Sequence, residues 1–372
     1  MKGKRGAIDA TVPTVTATTI AEVSAEPWTI ALTEPFGIAT GAQAVAENVL
    51  VEVRLEDGTI GLGEAAPFPA VNGETRADAL AGVAEARAAL VGEDTGRFRR
   101  IAAILREACP APTARCALES AVLDAFTRRA GISLHHFFGG KDASLTTDIT
   151  IVTGTPDHAA RAAESARAQG FTTLKVKVGG GRVDDDVARL SAILGVMPEA
   201  RLVLDANGGF TSDEAAYLVE RVGVEKIALF EQPTRADDLD ELRSVRKRTR
   251  VLVAADESAR SANDVALIAA MRAADVVNVK ISKCGVVEAV DMVAAARGYN
   301  LGLMIGGMVE TPLAMSVSAC LAAGHGGFDF VDLDTPLFMR DVPTSGGFLQ
   351  TGPHLDVSHI ERGHGVTVIR RG

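Results

Sequence analysis

The chain has 372 residues, 47% hydrophobic but only 4% aromatic, so its core is aliphatic and large enough for more than one domain. A net charge of −10 without any basic block argues against a nucleic-acid partner. The four cysteines form no C-x-x-C pair and read as reduced thiols of a cytoplasmic protein; the leading MKGKRGAIDATVP lacks the apolar segment of a secretory signal, and no apolar run is long enough to span a bilayer.

Residues 15–64 read as strands and turns. In NVLVEVRLEDGTIGLGE, alternation breaks at Asp57-Gly58 and then resumes, a hairpin signal. Residues 75–91, 97–108 and 113–130 are Ala-rich with apolar spacings of three and four, which predicts helices. From Thr147 the texture changes to short apolar runs separated by helical stretches. The runs are TDITIV (147–152), TLKVKV (173–178), LVLDAN (202–207), IALFEQP (227–233), LVAADES (252–258), VVNVK (276–280), LGLMIGG (301–307) and FDFVDLD (328–334). This is the rhythm of βα units with buried parallel strands, and eight of them suggest a closed barrel. A doubly wound sheet is the competitor, but TIVTGTPDH after the first run is a poor phosphate loop. Beyond residue 337 the rhythm stops, and the tail is predicted to return to the first domain. The expected organisation is α/β: an α+β capping domain over 1–128, a barrel over 129–336 and a returning segment over 337–372.

In such a barrel chemistry collects where strands end. Asp205, Glu231 and Asp256 end the third, fourth and fifth runs, so three carboxylates gather on one side of the mouth. Three anions together call for a cation, and all-oxygen donors favour Mg²⁺; taken singly, each acid reads equally well as a cap of the following helix. Lys175 and Lys177 share a face of the second run, and Lys280 ends the sixth. Runs two and six are diametrically opposite in an eight-strand barrel, so Lys177 and Lys280 face each other and can move a proton from one face of a carbon acid to the other. A held carboxylate beside the metal takes up the charge that develops, and Lys175 is placed to bind it. Simple ion pairing and a Schiff base are the other readings of these lysines. Asp332 and Asp334 on the eighth run suit a cation such as a peptide amino terminus, with solvated rim acids as the alternative. None of the seven histidines sits in a zinc pattern. Glu310 reads as a helix N-terminal acid, Glu257 as a supporting partner of the site, and Lys283 as lying outside the groups that touch metal or substrate.

GFTTLKVKVG, DANGG, FEQP, ADES and NVKISKCG, in this order, resemble the muconate-lactonising-enzyme subgroup of the enolase superfamily. FDFVDLDTPL resembles its dipeptide epimerases, and GLGEAAPFPAVNGET their capping domain. The resemblance implies a (β/α)7β modified TIM barrel with an α+β cap, one Mg²⁺ per subunit held by Asp205, Glu231 and Asp256, and Lys177 and Lys280 as the acid/base pair. It further implies Lys175 near the substrate carboxylate, Asp332 and Asp334 on the α-ammonium, and Thr150 and the backbone near Gly307 as substrate contacts. KCGV (283–286) departs from the pattern where many members have a second glycine. The expected activity is epimerisation of a dipeptide at its C-terminal residue by an isomerase, in a cytoplasmic protein that partners neither nucleic acid nor membrane and forms a homo-oligomer. A cycloisomerase or N-acylamino-acid racemase is the alternative on the same framework, and a non-catalytic peptide binder the alternative of another class. The segment LTEPFGIATGAQAVAEN is the expected lid; it carries no Lys or Arg, which favours an apolar or cationic second residue over an acidic one.

Overall fold

The computed structural model describes residues 18–38 and 41–370, so the leading segment and Ala39-Thr40 of the expected lid lie outside the described residues. Strands β1 (Ile20–Ile38) and β2 (Gly41–Leu55) form a long antiparallel hairpin, and β3 (Ile60–Ala65) pairs with β2. The turn between β2 and β3 is built as Asp-Gly turns are. Gly58 takes φ +87°, and the Asp57 carboxylate accepts the Thr59 N–H at 3.0 Å. Helices α1 (Arg76–Leu90), α2 (Phe98–Ala108) and α3 (Pro112–Ala130) lie within a residue of their predicted bounds. Thr75 and Asp78 form a capping box at the start of α1, and Gly131 ends α3 in the left-handed conformation that glycine tolerates.

Sheet and helices touch most closely where β3 lies on α3. A Cβ on Gly63 would stand 1.9 Å from the Ala117 carbonyl oxygen, and one on Gly61 2.1 Å from that of Ala121. Backbone on backbone leaves nothing to yield. Gly63→Ala is therefore expected to cost about 3 kcal/mol of stability, read as a lowered urea midpoint at an unchanged slope.

Eight parallel strands follow: β4 (Ile149–Ile151), β5 (Thr173–Lys177), β6 (Arg201–Asp205), β7 (Ile227–Glu231), β8 (Val253–Ala255), β9 (Val276–Val279), β10 (Gly302–Ile305) and β11 (Phe330–Val331). Each pairs with its neighbour in chain order, which is the order of a barrel and not of a doubly wound sheet. The edge between β11 and β4 is stitched rather than laddered. Asp148 N–H donates to the Val331 carbonyl at 2.9 Å, and Thr147 Oγ1 accepts the Leu333 N–H at 2.9 Å. Seven long helices, from Pro156–Ala168 to Pro312–His325, cover the outside, giving a (β/α)7β barrel. Alternation sorts the side chains. Leu174, Val176, Leu202 and Leu204 pack outward on the helices, while Val203, Leu229, Ala254, Val276 and Met304 fill the interior as an apolar floor. Among the described residues no helix is long and apolar enough to cross a membrane.

The two parts are pinned together. Strand β12 (Met339–Arg340) pairs antiparallel with β1 through Ala31↔Arg340 and Leu32↔Met339. Buried Glu64 of β3 accepts from the Thr311 backbone N–H at 3.0 Å, the Thr311 hydroxyl at 2.6 Å and the Ala314 N–H at 3.2 Å, capping the last barrel helix from the other domain. Glu119 of α3 does the same for the Val287 N–H at 2.8 Å. Burial pushes the Glu119 carboxyl up to about 7, only partly offset by that backbone bond. A carboxyl raised above its unfolded value binds more protons in the native state, so its contribution is present below pH 4.5 and lost as pH rises through about 7. Glu119→Gln should therefore flatten the fall in unfolding free energy between pH 5 and 8, by on the order of 3 kcal/mol relative to wild type, in denaturant titrations across that range.

Candidate active site

Ladder register lays out the site. Lys177 pairs with Asp205, and Asp205 with Glu231, so an ammonium and two carboxylates stand side by side across β5, β6 and β7. Asp256 follows β8 directly, and Lys280 follows β9. All five are buried, as are Lys175, Asp332 and Asp334. Charges at the ends of apolar strands persist only when paired, and here they are. Lys175 Nζ lies 3.0 Å from Asp205, 2.8 Å from Glu231 and 2.6 Å from Asp332. Lys177 Nζ donates to Asp205 at 2.6 Å and Lys280 Nζ to Asp256 at 2.6 Å. Both Lys177 and Lys280, on the second and sixth strands, line one cavity together with Lys175, Asp332 and Asp334. These are the groups that the sequence brings together, and the structure puts them on a single chamber.

Thr150 and Gly307 line the same cavity. The Thr150 backbone N–H is taken by Asp334 Oδ2 at 2.5 Å, so it holds the acid in place. A Cβ on Gly307 would meet Met315 Cε at 2.4 Å and Glu310 Oε2 at 2.7 Å, so a larger residue there would have to push these side chains aside. The eighth strand ends at Val331, before either acid, and Asp334 is already in a helical conformation (φ −94°, ψ −12°). The turn after β11, not strand alternation, therefore turns both acids to the cavity. Asp332 also stands close to the other acids, because Lys175 spans from it to Asp205 and Glu231.

Several groups escape a reading of strand ends alone. Asn278, two residues before Lys280 and so on its face, donates to Glu231 Oε1 at 2.7 Å. Lys283 grips Asp256 from behind, through its carboxylate at 2.5 Å and its carbonyl at 2.6 Å. Glu257 accepts from Asn207 Nδ2 at 3.1 Å. Glu310 is buried next to Gly307, and burial, with Glu64 nearby, pushes its carboxyl up to about 8. Asp148 stands two residues before Thr150, and its oxygen lies within 4.8 Å of those of Asp332 and Asp334. The signal for Asn278 is period two inside its strand, where it shares a face with Lys280; Asp148 lies one residue before its strand and carries no such signal.

The electrostatics bear on a metal. Burial raises Glu231 to about 8, with Asp205 adding to the rise. Burial works the same way on Asp205 and Asp256, but the lysine ammoniums beside them hold both below the usual carboxylate range. Asp256 and Glu231 in turn keep Lys280 above the usual lysine value although burial opposes it. Glu231 Oε2 lies 2.8 Å from Lys175 Nζ but off hydrogen-bonding geometry, leaving a buried oxygen without a donor. Three buried carboxylates with an orphaned oxygen, no histidine and no thiolate among them, fit a hard divalent cation. The three do not meet within 4.8 Å here, whereas Asp148, Asp332 and Asp334 do. Lysine ammoniums are inserted among the first three, acting as the counter-charge.

The cavity holds about 30 Å³, room for a few waters at most, with Phe36, Phe68 and Val71 of the capping domain closing it. A wider crease of about 310 Å³ adjoins it through Val71 and Asn207 and is rimmed by Arg235 and Arg260. The smaller chamber is the chemical one, since it alone of the two holds the opposed lysines.

A barrel with lysines on opposite strands and three acids between them, under an α+β cap, defines a proton-transfer enzyme of the enolase kind. Residues 18–139 match the mandelate racemase/muconate lactonizing enzyme N-terminal domain and residues 157–371 the enolase C-terminal domain-like family, and the chain belongs to this superfamily. Among its relatives, an aromatic dipeptide epimerase of Herpetosiphon aurantiacus is 50% identical over 94% of this chain and 99% of its own length. An L-Ala-D/L-Glu epimerase of Thermotoga maritima is 36% identical over 87% and 94%. The crystal structure of a dipeptide epimerase from Enterococcus faecalis, complexed with Mg and L-Leu-L-Tyr, superposes with a TM-score of 0.90 at 30% identity, covering 94% of this chain and 99% of that one.

Proposed function

We propose that this chain is a Mg²⁺-dependent dipeptide epimerase, an isomerase that inverts the α-carbon of the C-terminal residue of a dipeptide. The observation that carries the reading is the pair Lys177 and Lys280, set on opposite strands and lining one cavity. An amine on each face removes a proton from one side and returns one to the other, which binding alone does not require. Asp205, Glu231 and Asp256 would hold one divalent cation per subunit. When bound, it supplies charge that holds the substrate carboxylate, competes with the lysines for these acids and offsets the negative charge that develops as the proton leaves. Lys175 fixes the other side of that carboxylate. Asp332 and Asp334 take the substrate's ammonium, and Thr150 fixes Asp334. An acidic clamp disfavours N-acyl substrates and cyclising acids, which bring no ammonium. Phe36, Phe68, Val71, Met308 and Val309 give the chamber apolar walls, which favours an apolar second residue over an acidic one. The four cysteines are buried free thiols, in keeping with a cytoplasmic enzyme.

The test is a dipeptide library incubated in D₂O with Mg²⁺ and read by mass spectrometry and chiral chromatography. Deuterium should enter the C-terminal α-position of apolar dipeptides together with inversion. Exchange in an N-succinyl amino acid but in no dipeptide would overturn the reading. Asp334→Asn should lower kcat/KM by about 100-fold on a dipeptide, mainly through KM.

A further inference from the structure

Asp148 takes no part in the steps above, and it does not line the chamber of the opposed lysines. It lines a separate cavity of about 60 Å³ where the barrel strands begin, together with Thr147, Thr173, Arg201 and Asp329. Arg201 and Asp329 are exposed, so this floor cavity meets solvent at the end of the barrel away from the strand-end charges. Asp148 itself is 3% exposed, and its backbone N–H is held by the Val331 carbonyl. Its carboxylate also approaches the clamp. One oxygen from each of Asp148, Asp332 and Asp334 lies within 4.8 Å of the others, and Asp332 and Asp334 line the chamber. Asp148 therefore stands between the two cavities.

Three carboxylates so close together in a buried place do not all stay ionised without counter-charge. The charged groups that face Asp148 are Asp332 and Asp334 from the turn after β11, Lys175 from β5 and Glu231 from β7, with Arg201 and Asp329 at the floor. Lys175 is the buried cation of this set, and Asp205, Glu231 and Asp332 already share it. Asp148 Oδ1 and Asp334 Oδ1 have no partner. Burial and Asp332 push Asp334 up to about 7, while burial, with Asp332 and Asp334 adding to it, pushes Asp148 well above the usual carboxylate range. The cluster is short of positive charge, and a proton on Asp148 supplies it.

We propose that Asp148 is a proton-release residue: a neutral acid while the chamber is empty, it gives its proton to solvent through the floor cavity when the dipeptide's ammonium docks above it. The O–H bond of Asp148 breaks, the proton passes to water and then to buffer, and one positive charge in the cluster replaces another. Asp148 acts through Asp332 and Asp334 and touches no reacting atom, so it is a positioning residue. The dipeptide amine, ordinarily titrating near 8, stays charged below about pH 7, so the proton released comes from the protein. The inference rests on the epimerase reading and adds to it a substrate affinity that rises with pH as Asp148 becomes easier to ionise.

Calorimetric titration with Mg²⁺ present counts the proton. An equimolar mixture of L-Ala-L-Phe and L-Ala-D-Phe, in which turnover brings little net change, is injected at about pH 6 in buffers of low and high ionisation enthalpy; the dependence of the heat on the buffer gives the protons released. Wild type should release about one proton more than Asp148→Asn, and between about pH 5.5 and 7 its Kd should fall about tenfold more steeply per pH unit. Equal counts in the two proteins would overturn the proposal, because a merely structural Asp148 would change affinity and leave the count alone. L-Lactyl-L-Phe, with a hydroxyl in place of the ammonium, should release the same number from both proteins, and an excess from wild type with that ligand would also overturn it. Asp148→Ser repeats the comparison should the asparagine variant fold poorly. Failure of wild type to interconvert the two dipeptides would instead remove the epimerase reading, an outcome separate from the proton count.

Discussion

Lys177→Ala and Lys280→Ala should each reduce epimerisation by about a thousand-fold, while each retains α-proton exchange for one epimer of the substrate. The expectation follows from one amine on each face. With one lysine gone, the survivor still removes the proton on its own side and, after exchanging with solvent, returns deuterium to that side with retention. The two variants should therefore label opposite epimers, a pattern read by NMR in D₂O. Labelling of the same epimer by both would mean that the two nitrogens do not serve opposite faces. Loss of fold does not confuse the result, because neither deletion strands its carboxylate: Asp205 keeps Lys175, and Asp256 keeps Lys283.

Chelation should abolish turnover and leave the fold standing. The acids proposed as metal ligands are held by Lys175, Lys177, Lys280 and Lys283 at 2.5–3.0 Å, so the protein without metal has its interior charge already paired. EDTA is expected to remove activity with no change in the far-ultraviolet circular dichroism, and Mg²⁺ to restore it. At a hundredfold excess over its dissociation constant the ion should add about 2.7 kcal/mol of stability. Glu231→Gln should weaken Mg²⁺ binding by about 100-fold, measured by calorimetric titration without substrate. Unaltered affinity in that variant would place the ion elsewhere, with the cluster of Asp148, Asp332 and Asp334 the first place to look.

Much of this arrangement could be read from the chain alone because a barrel converts sequence position into angle. Once eight runs are counted, Lys177 and Lys280 must oppose each other, and Asp205, Glu231 and Asp256 must be adjacent. The helices of the first domain were equally legible, since their Ala-rich sequences keep apolar spacings of three and four. What could not be read is whatever depends on how far one strand is displaced against the next. The reach of Lys175 to acids on three other strands is set by barrel stagger, which no local pattern encodes. Asp148 was hidden for a related reason: it lies before its strand begins, where a polar residue ordinarily marks a turn. Glu310 took its meaning from Glu64, 246 positions away and in the other domain.

Glu64 and Glu119 reach from the first domain to cap helices of the second, and β12 of the tail pairs with β1. A first domain fastened at three places is not free to lift away whole, although a chamber of about 30 Å³ must open to admit a dipeptide. Admission then falls to Phe36 of β1 and to Phe68 and Val71 around the short helix Pro69–Asn72, which close the chamber. The residues proposed to select the substrate are thus the ones that close the chamber, and they are remote in sequence from Lys177 and Lys280. A substitution at Phe36 or Phe68 can therefore reshape the entrance without touching any of the ion pairs that hold Lys177 and Lys280.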